Sequence, residues 1–287
     1  MRLVKAFSLY IRKEIISMGG SMKTVEFYQN SSKLAEKYFG NIEIRKINLE
    51  LSQEYRLWLM TSHKPNTTRG HISCLRNVLK FCKKHGYRVM DYTEINLPKR
   101  EKTRPHFLER NEVERLIEAA NTKKRGYATI NRVRNALIIR MLFETGLRVG
   151  ELCALNRDSI KNNTFSVIGK SKSVRVCFIT DSLMDEINGY LAMRLDNDPA
   201  MFITNETKKR MTPANVQEMF RRVGKKSGLV GVHPHTMRHS FATYLMEKAV
   251  GLREIAELLG HESMDTTKIY THLKDNRLKE IYESAMA

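Results

Sequence analysis

The chain has 287 residues, 41% of them hydrophobic and 28% charged, the balance of a folded protein with room for two ordinary domains. Lysine and arginine outnumber aspartate and glutamate by 50 to 31, a formal net charge of +19, so a polyanion such as nucleic acid is the expected partner, with a basic ribosomal-type protein the duller alternative. No run reaches the length of a membrane span, the N-terminus carries charges where a signal peptide would be apolar, and Cys74, Cys82, Cys153 and Cys177 are scattered without a C-x-x-C pair. These features argue against a membrane protein, a disulfide scaffold or a thiolate zinc site, and lead us to expect reduced, mostly buried thiols in a cytoplasmic or nucleoid-associated protein.

The charge surplus leans to the front, with 21 basic and 9 acidic residues up to His106. Leu3, Phe7, Tyr10 and Ile11 recur at helical spacing and predict a helix ending before Gly19-Gly20. A second helix is expected after Ser21, carrying Val25, Tyr28, Leu34, Ala35 and Phe39 and closed by Gly40; a third carries Tyr55, Leu57, Trp58 and Leu59. The fourth starts near Thr67 and runs to Gly86, with Arg76, Lys80, Lys83 and Lys84 on its polar side as candidate DNA contacts, although a charged face is as often plain solvated surface. The segment PKREKTRPH then combines two prolines with four lysines and arginines, a histidine and no apolar residue. It reads as an extended linker over 98–106 between an N-terminal helical domain (1–97) and a second domain (107–287), with Arg100, Lys102 and Arg104 able to lie along a duplex.

The second domain opens with a helical stripe, Val113, Leu116, Ile117 and Ala120, followed by an almost wholly apolar run from Val133 to Phe143 that reads as a buried central helix ending at Gly146. LRVGELCALNRDSI is expected to begin a further helix, which sets Arg148 beside the packed centre. A guanidinium there implies either a bound anion or a partner in Glu144 or Glu151. From Thr164 to Thr180 the period changes to two, predicting strand, basic turn and strand with Lys170 and Lys172 at the tip. Asp181 to Leu195 reads as a helix, Met201 to Ile203 as a short apolar stretch, and Thr212-Pro213 as the cap and first residue of a helix whose Arg221, Arg222, Lys225 and Lys226 form a second basic strip.

The run from His233 to His272 holds the densest chemistry. Pro234 opens a helix that puts His235 and Arg238 on one face of its first turn, and free N–H groups there suit a phosphate. Gly260 is placed to stop the helix bearing Ile255, Leu258 and Leu259, leaving His261 on the turn; Ser263 or Asp265 can cap a short helix that leads to Tyr270. Imidazoles, guanidiniums and a phenol gathered this way suit attack of a tyrosine on a phosphodiester. A zinc reading of His233, His235 and His239 lacks the acidic or thiolate partner most such sites contain.

HTMRHSFATYL, ELLGH and TTKIYTH resemble the C-terminal motifs of the tyrosine recombinases, the lambda-integrase or Xer-type family, and TGLRVGEL is similar to that family's first-arginine motif. The resemblance implies a mainly α fold with a small antiparallel β hairpin, an N-terminal core-binding (SAM-like) domain and a C-terminal catalytic domain. It implies Arg148, Lys170, His235, Arg238 and His261 as catalytic groups and Tyr270 as nucleophile. Gly169-Lys170 matches the family's Gly-Lys turn and Arg175 its later arginine, but Ser171 and Phe178 depart from the pattern, so Lys172 stays open as the catalytic lysine. What the resemblance implies for function is a 3′-phosphotyrosyl link, strand exchange through a four-way junction, a homotetramer on double-stranded DNA with exchanged C-terminal tails, and no cofactor or metal. A topoisomerase-like enzyme of the same chemistry and a non-catalytic DNA-binding regulator are the alternatives.

Overall fold

A computed structural model describes residues 1–101, 105–123, 129–169 and 174–260. Lys102, Arg104, Lys170, Lys172, His261, Tyr270 and the expected short helix before Tyr270 lie outside the described residues. The chain divides into two compact units, Met1–Thr103 and Arg104–Ala287. It is mainly helical with one antiparallel hairpin, as the sequence leads one to expect.

The first unit contains α1 (Leu3–Tyr10), α2 (Met22–Phe39), α3 (Leu49–Met60) and α4 (Pro65–Lys84). Local chemistry sets their ends. The Ser21 side chain accepts from the Thr24 amide at 3.2 Å, Asn48 from the Leu51 amide at 2.9 Å, Pro65 opens α4, and Gly40 closes α2 with φ +67°. Past Tyr10 the first helix widens to a π-helical segment, Ile11–Ile16, which keeps Ile11 and Ile15 inward. Leu3, Phe7, Tyr55, Leu59, Leu75 and Leu79 form the core. The one buried imidazole of α4, His71, shares a 2.8 Å hydrogen bond with Ser31 and stacks on Phe27, so burial and the nearby His63 lower its pKa while its polar atom stays satisfied.

The second unit is built on α6 (Thr129–Thr145), which α5 (Arg110–Asn121), α8 (Asp181–Ala192) and α10 (Pro234–Glu247) pack against. Ile138, Leu142, Leu147, Leu116, Phe220 and Met237 lie in its core. The strands β1 (Thr164–Ile168) and β2 (Val174–Phe178) pair antiparallel with Ile168 opposite Val174. Phe165, Val167, Arg175 and Cys177 face inward. α9 (Pro213–Ser227) starts on the Thr212 cap as expected, and α11 (Leu252–Leu259) closes on Gly260, with φ +61°.

Two expected helices are shorter than their apolar pattern suggests. α7 spans only Val149–Ala154, because Asn156 and Ser159 close a turn (Asn156 N–H to Ser159 Oγ, 2.8 Å) and the Arg157 amide pairs with the Pro199 carbonyl. α8 stops at Ala192 because the Arg194 guanidinium binds the Ala200 and Met201 carbonyls at 2.6 and 2.8 Å, folding the chain back.

Gly146 ends α6 at φ +61°, and a Cβ there would lie 2.5 Å from the Phe241 ring and 2.9 Å from Leu259. Gly146→Ala therefore combines left-handed strain with overpacking and is expected to destabilise the second unit by roughly 2–4 kcal/mol, read as a lower urea midpoint. A midpoint equal to that of the unaltered chain would refute this account of the turn.

Candidate active site

The centre of the site is a guanidinium with almost no exposure. Arg238, 3% exposed, lies one turn into α10 and donates from Nη1 to the Gly146 carbonyl at 2.6 Å and from Nη2 to the Leu259 carbonyl at 2.5 Å. Gly146 lies two residues before Arg148, and Leu259 two before His261, so one side chain joins the two segments that carry these expected site residues. Both carbonyls sit where a helix C-terminus concentrates partial negative charge, which suits a cation.

Arg148 caps α7 and is half-buried. Of the two carboxylates considered from the sequence, Glu151 is its partner: Nη1 donates to Glu151 Oε1 at 2.8 Å and the Arg148 amide to Oε2 at 2.8 Å. Glu144 instead pairs with Arg140 at 2.7 Å. The Glu151 side chain is 9% exposed and also receives a fork from Arg175, at 3.1 Å to Oε1 and 2.7 Å to Oε2. Burial alone would raise the Glu151 pKa, but the Arg175 fork and the Arg148 amide and guanidinium outweigh it and hold it down to about 2. Spacing makes Glu151 a possible partner of Arg148, whereas the contact from Arg175, made from β2 to α7, leaves no local spacing to read.

α10 begins as expected, with Pro234 in its first turn and the His233 ring accepting from the Thr236 amide at 3.1 Å. His235 stands exposed on the first turn and His239 one turn on, ring centres 5.4 Å apart. The surrounding protein, then the charges of Arg238, His233 and Arg148, lower the His235 pKa. Burial and the neighbouring His235, His233 and Arg238 push His239 down to about 4. Among the described residues no group of three or more His, Cys, Asp or Glu is arranged to hold a metal ion.

The expected DNA contacts divide by environment. Lys80 and Arg100 are exposed and Arg76 is half-buried; Lys83 pairs with Asp91 at 2.9 Å and Lys84 with Glu14 at 3.8 Å, while Arg221 and Arg222 share Glu218. Such exposed pairs contribute little and exchange readily for a phosphate. Arg221, Arg222, Lys225 and Lys226 line one side of a cavity of about 750 Å³ between α5 and α9.

Residues 106–277 match the Phage integrase family. The chain is 38% identical over 193 residues to Tyrosine recombinase XerA of Pyrococcus furiosus, covering 66% of this chain and 64% of that relative, so it spans just under two thirds of that protein. It is 31% identical over 273 residues to Tyrosine recombinase XerC of Proteus mirabilis, covering 91% of this chain and 87% of that one. Among solved structures it resembles the XerH site-specific recombinase bound to palindromic difH substrate (TM-score 0.76, 21% identity, 99% of this chain and 84% of that one). It also resembles the Tn1549 transposon integrase in complex with transposon right end DNA (TM-score 0.79, 17% identity, 100% of both chains); at these identities both likenesses show the fold. With the family match covering well over half of its length, the chain belongs to the phage integrase family.

Proposed function

We propose that this chain is a site-specific tyrosine recombinase of Xer or simple-integrase type, which cuts and rejoins double-stranded DNA through a 3′-phosphotyrosyl link and a four-way junction. Family membership supports this reading, and the observation that carries it is Arg238, buried on the Gly146 and Leu259 carbonyls, two residues along the chain from Arg148 in the first case. In this scheme Arg148 and Arg238 neutralise the non-bridging oxygens of the scissile phosphate. The Tyr270 phenol attacks phosphorus as its proton passes to His235, the O5′–P bond breaks, and Lys170 protonates the departing oxygen, with Lys172 the alternative donor. His261 orients the phosphate. One phosphoester replaces another, so the scheme calls for neither ATP nor a metal.

The helical first unit, 98–106, and the basic strip of α9 would grip the duplex backbone, and four protomers exchanging C-terminal tails would bring two duplexes together in the cytoplasm. The salt dependence of binding follows from the number of phosphates neutralised.

Tyr270→Phe is expected to retain DNA affinity and lose the denaturant-resistant adduct on a nicked suicide duplex; a persisting adduct would rule out this nucleophile, and relaxation of plasmids without recombination of paired sites would favour the topoisomerase alternative. Lys170→Ala should slow cleavage of an ordinary phosphodiester by about a hundredfold, and a comparable loss in Lys172→Ala alone would move the general acid to that position.

Two pH effects follow from the lowered imidazole pKa values. His235 stays neutral at pH 7 and able to accept a proton, so the acidic limb of cleavage at sub-saturating enzyme should lie below the ordinary histidine value of about 6.5. For His239 the unfolded chain binds the proton more readily than the folded one. Its contribution to stability is therefore present above about pH 6.5 and lost as pH falls toward about 4, up to about 3 kcal/mol. Urea unfolding across that range should show the slope, and His239→Gln should flatten it; an unchanged slope in the variant assigns the acid lability elsewhere.

A further inference from the structure

Arg175 is a charged residue in an inward-facing row otherwise made of Phe165, Val167 and Cys177. It is 9% exposed, its fork occupies both oxygens of Glu151, and its side chain also backs the turn after α11, where a Cβ on Gly260 would lie 2.9 Å from Arg175 Cδ. The same two Glu151 oxygens receive the Arg148 guanidinium and amide. Each oxygen therefore has two donors, and the trio of two guanidiniums and one carboxylate carries one net positive charge.

That balance matters for the chemistry. A carboxylate at 2.8 Å from Arg148 is an excellent orienting acceptor, but standing alone it is also a full counter-ion. An Arg148–Glu151 pair by itself is neutral and has little attraction left for a phosphate. We propose that Arg175 is a positioning residue for the scissile phosphate: by taking the charge of Glu151 it lets that carboxylate aim Arg148 without neutralising it. The inference rests on the recombinase reading of Arg148 and adds to it the residue that keeps this cation electrically available. The bidentate geometry, the burial of both partners and the placement of Arg175 on a different element from Arg148 all serve this division of labour.

Charge accounting supplies the test. Arg175→Met keeps an unbranched apolar stem and removes the charge, leaving Arg148 paired to an otherwise unmatched carboxylate. Covalent adduct formation on a nicked suicide duplex is expected to fall at least tenfold, with thermal unfolding and duplex affinity measured beside it. Arg175→Met/Glu151→Gln returns one net positive charge to Arg148 while leaving out the salt bridge, and is expected to recover most of the lost rate. A duplex with a neutral methylphosphonate at the scissile position should also be cleaved by Arg175→Met at close to the unaltered chain's rate on that substrate, since no anionic oxygen then needs the free cation.

A merely structural tie predicts the opposite, a double variant as slow as the single one and equal losses on both substrates; that result overturns the proposal. Should Arg175→Met fail to fold, Arg175→Lys retains the charge without the fork and is expected to cleave within a few-fold of the unaltered rate; a tenfold loss in that folded variant also overturns it. If the unaltered chain forms no adduct on the ordinary duplex, the recombinase reading itself fails, and this inference with it.

Discussion

The second unit depends on holding one buried guanidinium, Arg238, against the backbone of two helix ends. Removing Arg238 from water is unfavourable unless its donors are met. The fold uses backbone carbonyls where two helices stop: Gly146 after α6 and Leu259 at the end of α11. Helix ends leave carbonyls without intrahelical donors and concentrate partial negative charge, so they match a cation while carrying no net charge. The positive φ of Gly146 and Gly260 ends both helices where Arg238 can reach them. The amphipathic pattern of α11, the apolar centre of α6 and the early start of α10 at Pro234 then act together as a mount for one side chain.

This use of arginine recurs, and it changes how the net charge should be understood. Arg132 donates to the Asn121 carbonyl, Arg134 to Ile203, Arg194 to Ala200 and Met201, Arg210 to Cys153 and Leu155, and Lys226 to Ala119. These cations tie chain segments together through backbone carbonyls. Part of the +19 charge is therefore structural. The total still shapes the long-range field that steers a polyanion, but it overstates the number of side chains free to lie along a phosphate backbone. Exposed lysines such as Lys80 are better candidates than the buried arginines of α6.

Most of the architecture was legible from local chemistry. Ser21, Thr212 and Pro234 start helices and Gly40, Gly146 and Gly260 stop them, each for a reason contained in a few neighbouring residues. The alternating pattern around Val167 and Val176 gave the hairpin. The overextended ends of α7 and α8 were not legible: after α7 the chain turns to meet partners about forty residues away, Arg157 with Pro199 and Asn156 with Ala200, and α8 stops where Arg194 binds carbonyls of the following loop. The site divides the same way. The placement of His235 and Arg238 on one helical face follows from spacing alone, whereas the joint hold of Arg148 and Arg175 on Glu151 requires the strand, the short helix and their packing to be in place first.

Such a cluster of fixed cations couples substrate binding to proton transfer. In the free protein the charges of Arg238 and Arg148 help keep His235 neutral. An imidazolium formed there by accepting a phenolic proton would be opposed by the same charges. A bound phosphodiester brings a negative charge into the cluster and offsets part of that opposition, so the imidazole becomes more basic when substrate is present. Negative charge growing on phosphorus oxygens during attack strengthens the effect at the moment the proton moves. In the proposed reaction the arginines therefore restrain the base until the phosphate is seated, and the phosphate itself makes its own attack feasible.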